Sequence, residues 1–419
     1  MYAQVAVENV NCTFDKDYDY SIPQQLEGKA LVGCRVAVPF GIGNRKRIGI
    51  ITRLTDSTQG KRIKSISAVL DEAPLLSNEM MSLARWISEQ TFCTYYEAVK
   101  AMLPAGINHK IIRSFCAVPG VDESVIASLD SDEKQVYDYL LSRSGYVKPE
   151  NFLKALGFDV SSDIPERLLK VGLLAANDDA VRNIGDNNIR MVRLCEGSDD
   201  VSMTKKQSEV VNVLKDVGSV SVKELCYFTG YTPSVISALE KKSVVECFER
   251  EELRSFVSRY AVQSAYDSGE IHLTDEQQKA YDGLLEDYKS GTGKTALLYG
   301  VTGSGKTSVY LKLIDAVLAD NKTVIVMVPE ISLTPQTLSV FHSRYNDGVA
   351  VFHSALSAGE RADEWKRVKN GDAKIVIGTR SAVFAPLENI GLIIIDEEQE
   401  HTYKSEQTPR YNAKSVARY

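Results

Sequence analysis

The eight residues GVTGSGKT, Gly300 to Thr307, constrain this chain more than any other segment. They fit G-x-x-x-x-G-K-[ST], follow a β-prone run (TALLYGV) and precede a helix-prone one (SVYLKLIDAVLAD). That is the strand–loop–helix context the pattern requires. Its glycines let backbone N–H groups wrap around phosphate oxygens, Lys306 places a point charge on them, and the Thr307 hydroxyl can ligate Mg²⁺. Gly300, Gly303, Ser304, Gly305, Lys306 and Thr307 are therefore the candidate nucleotide-binding set. Just upstream, SGTGKT (Ser290 to Thr295) copies the tail of the pattern, but Tyr288 stands where its first glycine should be. The preceding EDYK is no buried strand, so this copy reads as a linker.

The surroundings of the loop set its chemistry. From Leu273 onward the short runs TALLYGV, TVIVMVP, GVAVFH, AKIVIGT and LIIIDEE alternate with helix-like stretches. Apolar runs with little alternation belong to a parallel sheet covered on both faces, so residues 270–419 are expected to form an α/β lobe. Asp396, at the end of LIIIDEE, would hold Mg²⁺ through water, and Glu397 would orient or deprotonate an attacking water. With Lys306 they form the expected catalytic set. Gln277, in LTDEQ, offers an amide that can read an adenine edge, which makes ATP the expected nucleotide. VPEISLTPQ and GTRSAVFAP follow strands and place hydroxyls, amides and Arg380 where a single strand's phosphates could run. Helix capping by Ser and Thr is the alternative for either segment alone. Beyond Glu397, His401, Tyr403, Lys404, Arg410 and Tyr411 sit in a polar stretch. Aromatics interleaved with bases suit stacking on single-stranded bases; a surface loop with incidental tyrosines is the other reading.

A chain of 419 residues has room for several further domains. Residues 1–108 look β-rich, as a small sheet or barrel (VAVENV, GCRVAVPF, RIGIITRL), followed by a helix over Ser77 to Thr91 whose Met80, Met81, Ala84, Trp86 and Ile87 read as core. Pro104 and Gly106 mark a boundary. Residues 116–200 and 201–262 each offer three short amphipathic helices and a β-prone segment, the order of a winged helix, so a tandem pair is expected. DNA contact by the third helices stands against a purely protein-binding role. Net charge is −7, which argues mildly against a nucleic-acid partner, but residues 35–64 hold eight basic residues against Asp56 alone. Such a face attracts phosphates or is simply a solvated strand edge. Seven cysteines without C-x-x-C spacing read as reduced thiols. No apolar run approaches the about 18 residues of a membrane span, and MYAQVAVENV lacks the features of a signal peptide. No membrane partner and a cytoplasmic location are expected.

Taken together, GVTGSGKTSVYL, VPEISLTPQ, GTRSAVFAP, the DEE followed by YK and RY, and the amino-terminal YDYSIP, GCRVAVPFG and RIGIITRL resemble the primosomal replication-restart DNA helicases of superfamily 2. The resemblance implies a multidomain chain: a 3′-DNA-end-binding domain, a winged-helix region, and a RecA-like lobe with a parallel sheet. It maps an end-recognition pocket onto Tyr18, Asp19, Tyr20, Gly41 and Lys64, with aromatics to stack on a terminal base, Asp19 to accept from a 3′ hydroxyl or base, and Lys64 for phosphate. It implies an ATP-dependent 3′-to-5′ helicase that recognises abandoned forks and begins primosome assembly, with forked DNA, 3′ ends, single strands, other primosome proteins and single-stranded-DNA-binding protein as partners. The departures are Gln399, where the family usually has His, with His401 two positions later, and two winged-helix copies where one is usual. The chain also stops at Tyr419, before the family's second lobe with its arginine finger, its cysteine-rich Zn²⁺ region and its carboxy-terminal domain. An amino-terminal piece, largely inactive in hydrolysis, is therefore expected. Another superfamily 2 fork-remodelling translocase, or a DNA-binding module without ATP turnover, are the competing readings.

Overall fold

The computed structural model describes residues 1–41, 43–58, 62–121, 123–182, 188–195, 202–251, 253 and 271–419. The chain divides into two compact units, Met1–Asn183 with Val257–Tyr419, and Ile184–Phe256.

In the first unit, period-2 alternation in the amino-terminal runs produces a six-stranded sheet, in the order Lys64–Ser65, Tyr18–Ser21, Tyr2–Val7, Arg45–Thr55, Arg35–Phe40, Ala68–Val69. One short stretch supplies both outer strands. Lys64–Ser65 runs parallel to Tyr20–Ser21, and Ala68–Val69 antiparallel to Val36–Ala37. The sheet thus curls back on itself around Ala3, Val5, Tyr20, Val36, Val38, Ile51 and Ile66. The helices Asn78–Thr91 and Tyr95–Met102 follow, capped by Ser77 and by a Thr94–Glu97 capping box. Met81, Ala84 and Ile87 are buried, and the partly buried Trp86 stacks on Tyr419 at 4.9 Å.

These helices share one hydrophobic core with the carboxy-terminal lobe, joining Ala6, Ile50, Ile87 and Met102 to Ile325, Trp365, Phe384 and Tyr411. The expected boundary at Pro104–Gly106 is therefore a seam. A Cβ on Gly106 would lie 2.0 Å from the Ala358 carbonyl oxygen, so only glycine lets the helix Ala358–Lys369 approach this closely. At the other end of that helix Lys369 Nζ donates to Pro74 O at 2.5 Å.

The lobe's sheet has four parallel strands, ordered Val349–Phe352, Ile375–Gly378, Thr323–Met327, Ile390–Ile395. The helix Lys306–Ala319 packs on it through Val309, Leu313, Ile314 and Val317, all buried. TALLYGV is a correction. It enters no ladder: Leu297, Tyr299 and Val301 are exposed, and Ile390–Ile395 remains the half-covered outer strand. An apolar run becomes a buried strand only when a neighbour takes its N–H and C=O groups, and among the described residues none does.

The two repeats share an element order. In the first, strand His109–Ala117 pairs with Leu174–Arg182 and bridges Val147 through Phe115; helices Ser131–Leu141, Pro149–Ala155 and Ile164–Lys170 lie between. The second unit repeats this with strands Asn188–Leu194, Ser219–Ser221 and Val245–Glu251 and helices Lys205–Val217, Val222–Thr229 and Pro233–Lys241. Two expected boundaries move. The strand 109–117 belongs to the first repeat and 188–194 to the second, because ladder pairing over long sequence separations, invisible to local patterning, assigns each. The expected ends at 200 and 262 lie outside the described residues.

Candidate nucleotide and DNA site

Parallel strands gather their carboxyl ends on one edge of the lobe, where open α/β sheets place their ligands. Val328 to Gln336, Gly378 to Pro386 and Asp396–Glu397 all follow strand ends there. The loop 300–305 turns into the helix at Gly305, which has φ 78°, with Gly303 at φ 80°; both are left-handed positions suited to glycine. Lys306 Nζ folds back onto the carbonyls of Gly300 (2.8 Å) and Val301 (3.2 Å). Ser304 lies over Gly300, where a Cβ would meet its hydroxyl at 2.6 Å. Gln277 is engaged inside the protein: its oxygen accepts from Thr274 N at 2.9 Å, and its amide donates to Ser304 O at 2.9 Å. It braces the loop through a capping box, a role the adenine reading did not include.

Asp396 accepts from the Glu397 N–H at 3.0 Å, and its own N–H bonds Met327 O at 2.9 Å. Burial, with the neighbouring Glu397 charge, pushes its carboxyl above the usual carboxylate range, while the Glu397 N–H and the Lys306 charge pull it down. Lys306 and Asp396 therefore face one another electrostatically across the site. No hydrogen bond of the described residues uses Asp396 Oδ2. A half-buried carboxylate with an open oxygen, and a hydroxyl at the helix start on Thr307, are hard donors that suit Mg²⁺. Glu397 sits at φ 44° and accepts from Gln399 Nε2 at 2.7 Å. Glu398 pairs with Lys414 at 3.1 Å, a contact that sequence reading missed because sixteen residues separate them.

The tyrosines after the acidic pair are corrected. Tyr403 is 1% exposed, and its hydroxyl donates to Asp396 O at 2.6 Å and Met327 O at 3.2 Å, tying two strand ends together. Tyr411 is buried against Phe384, ring centroids 4.7 Å apart. Neither offers a ring face to a base; the stretch looked polar because the core it joins is built from distant strands. Arg380, half-buried, donates to Lys404 O at 2.7 Å and Thr402 O at 3.3 Å, so its guanidinium organises this turn. Lys404 and Arg410 are exposed, as is His401.

In the amino-terminal sheet, Lys64 Nζ donates to Gly41 O at 2.6 Å, and Tyr18 packs edge-on against Phe40 at 5.0 Å. Lys64 and Gly41 thus meet, with Tyr18 against the adjoining Phe40. Tyr20 does not join them at the surface: it is 3% exposed, its hydroxyl bonds Pro39 O at 3.2 Å, and burial pushes it up to about 12. Asp19 points to the other face, as strand alternation requires, and accepts from Thr58 Oγ1 at 2.5 Å and Gln4 Nε2 at 3.3 Å. The basic stretch 35–64 is also partly internal. Arg35 is buried in an ion pair with Asp71 (2.6 Å), Arg45 pairs with Glu166 (3.0 Å), and Lys46 Nζ bonds Asp178 O (2.7 Å). Lys61 lies outside the described residues.

With this geometry in place, comparison with known proteins is specific. Residues 4–104 match the 3′DNA-binding domain (3′BD) of PriA, and residues 274–416 match the DEAD/DEAH box helicase domain. The replication restart protein PriA of Bacillus subtilis is 35% identical over 99% of this chain and 51% of its own length, and that of Synechocystis 32% identical over 96% and 48%. The chain is similar to the PriA family along nearly its whole length. It spans about half the length of the PriA relatives it matches. The family explains why one chain joins a curled β-rich domain to a phosphate-loop lobe. Among the described residues no helix is long and apolar enough to cross a membrane, and no cluster of His, Cys, Asp or Glu has the arrangement of a metal site.

Proposed function

We propose that this chain supplies the DNA-binding and first motor-lobe functions of an ATP-dependent 3′-to-5′ DNA helicase that recognises abandoned replication forks and begins primosome assembly. The observation that carries this reading is the pairing, in one lobe, of the Gly300–Thr307 loop with Asp396 and Glu397, in a chain whose first hundred residues match a 3′ DNA-binding domain. Lys306 would neutralise the β and γ phosphates, Thr307 and Asp396 would hold Mg²⁺, and Glu397, held by Gln399, would orient the attacking water. The metal supplies charge neutralisation on the phosphates. Tyr18, Gly41 and Lys64 would receive a 3′ end, with Asp19 and Tyr20 supporting the strand beneath them, and Lys404 and Arg410 would meet strand phosphates.

Full turnover is assigned to the longer protein, since the resemblance puts the arginine finger on a second lobe, and such a finger is worth about 10³ to 10⁵ in rate. Zn²⁺, the other primosome proteins and single-stranded-DNA-binding protein belong to that longer protein as well. A role on the chromosome places it in the cytoplasm. Equilibrium binding of ATP with Mg²⁺, and phosphate release with and without forked DNA, test the reading. The chain is expected to bind nucleotide, to lose that binding in Lys306→Ala, and to bind forked DNA. Nucleotide affinity unchanged in Lys306→Ala would sink the reading.

A further inference from the structure

The two repeats are built alike, yet their surfaces differ position by position. In the first copy the leading helix starts from Asp130, with Ser131 and Asp132 exposed in its first turn. In the second it starts from Thr204, with Lys205 and Lys206 exposed there. Each second helix is followed by a glycine in the left-handed region, Gly157 (φ 78°) and Gly230 (φ 70°). The exposed residues three and two positions before that glycine are Lys154 and Ala155 in the first copy, but Tyr227 and Phe228 in the second. Tyr227 is 85% and Phe228 70% exposed, their rings 5.9 Å apart and edge to face. Neither ring supports the repeat's own core.

The third helices diverge too. In the first copy that helix carries Glu166, which pairs with Arg45 at 3.0 Å and Arg113 at 3.2 Å. Asp178, on the following strand, holds Arg113 at 2.6 Å and the Lys46 ammonium through its carbonyl at 2.7 Å. That copy therefore spends its third helix on the amino-terminal sheet. The second copy's third helix has no acid in its first turn, and its Glu240 is paired with Arg190 at 2.7 Å. Lys223, one turn before Tyr227, is exposed, and Lys206 lies 5.7 Å from the Tyr231 ring beside the turn. The acids nearest this face are engaged: Glu209 accepts from the Tyr231 hydroxyl, and Glu224 closes a capping box with Ser221.

We propose that the helix-turn-helix face of the second repeat is a DNA-binding site for strands with unpaired bases, with Lys205, Lys206 and Lys223 on phosphates and Tyr227 and Phe228 against base faces. A lysine one turn from two solvent-exposed rings, with two more lysines at the start of the helix packed beside them, is the composition of a stacking platform on a charged groove. A duplex hides its base faces, so the rings select unpaired DNA. This rests on the DNA-binding reading above. The test is fluorescence anisotropy of the whole chain on single-stranded, forked and blunt duplex DNA across a salt series. Tyr227→Ala/Phe228→Ala is expected to weaken binding to single-stranded and forked DNA about fivefold or more, with blunt duplex unchanged. Lys205→Ala/Lys206→Ala should lower the slope of log affinity against log salt by about 2. Lys154→Ala in the first copy should change neither. Equal loss on all three DNAs in the aromatic variant, or no loss in either second-copy variant, would overturn the proposal, the latter leaving this face to a protein partner. A wild-type chain that binds no DNA would instead sink the functional reading itself. Both second-copy variants alter exposed side chains, and a thermal melt matching wild type confirms that they report on binding.

Discussion

At the residue scale, the side chains nearest the acidic pair separate packing from chemistry. Tyr403 is buried and bridges Met327 O and Asp396 O. Tyr403→Ala is expected to cost about 3–5 kcal/mol of stability in urea unfolding, and Tyr403→Phe about 1–3 kcal/mol, since the Asp396 carbonyl loses its donor while Met327 O keeps the Asp396 N–H. In a longer, ATP-hydrolysing form, both should lower activity equally with and without DNA; a loss confined to DNA-stimulated turnover would restore a stacking role. Asp396 makes a pH prediction. Its carboxyl is raised in the fold, chiefly by burial, so the folded state holds the proton more tightly than the unfolded chain. Its contribution to stability is present below the ordinary carboxylate pKa and is lost as pH rises through the raised value. Asp396→Asn should therefore equal or exceed wild type in stability at neutral pH while losing Mg²⁺-dependent nucleotide binding. In wild type that binding should fall as pH drops toward the raised value, which titration calorimetry across pH would check.

At the element scale, the helix Ala358–Lys369 is gripped at both ends by the amino-terminal half, through Gly106 and through the Pro74 and Leu75 carbonyls. Gly106→Val places new carbons against a backbone carbonyl that cannot swing aside, and is expected to destabilise the chain by about 1–3 kcal/mol or more in denaturant unfolding. Asp71→Ala should cost about 3–5 kcal/mol, because it leaves Arg35 buried without its partner. If Gly106→Val unfolds at the wild-type denaturant concentration, the two halves do not depend on one another for stability. Four of the five β-branched runs in the lobe became strands where periodicity placed them. TALLYGV did not, since strand formation needs a ladder partner as well as propensity.

At the scale of the whole molecule, end recognition should sit with Lys64 and Tyr18 rather than Asp19. Lys64→Ala is expected to weaken binding to DNA bearing a recessed 3′ end more than binding to a blocked control, in a competition assay. Asp19→Ala should mainly lower stability, because Thr58 and Gln4 lose their acceptor. An Asp19→Ala chain of normal stability that no longer distinguishes ends would return that carboxylate to the pocket.

Several features were legible in the residues alone: the glycine-rich loop ahead of a helix, the acidic pair at a strand end, four strands of the lobe, and the β-rich character of the amino-terminal hundred residues. Each is written in local spacing, where a few neighbouring residues carry the whole signal. Only the tertiary structure decided that Tyr20, Tyr403 and Tyr411 are packing residues, that Arg35 is an interior ion-pair partner, and that the strand at 188–194 belongs to the second repeat. It also decided that the Gly106 seam joins two halves that composition suggested were separate. Burial, ion pairing and ladder pairing are settled by residues brought together from far along the chain, and no local window contains both partners.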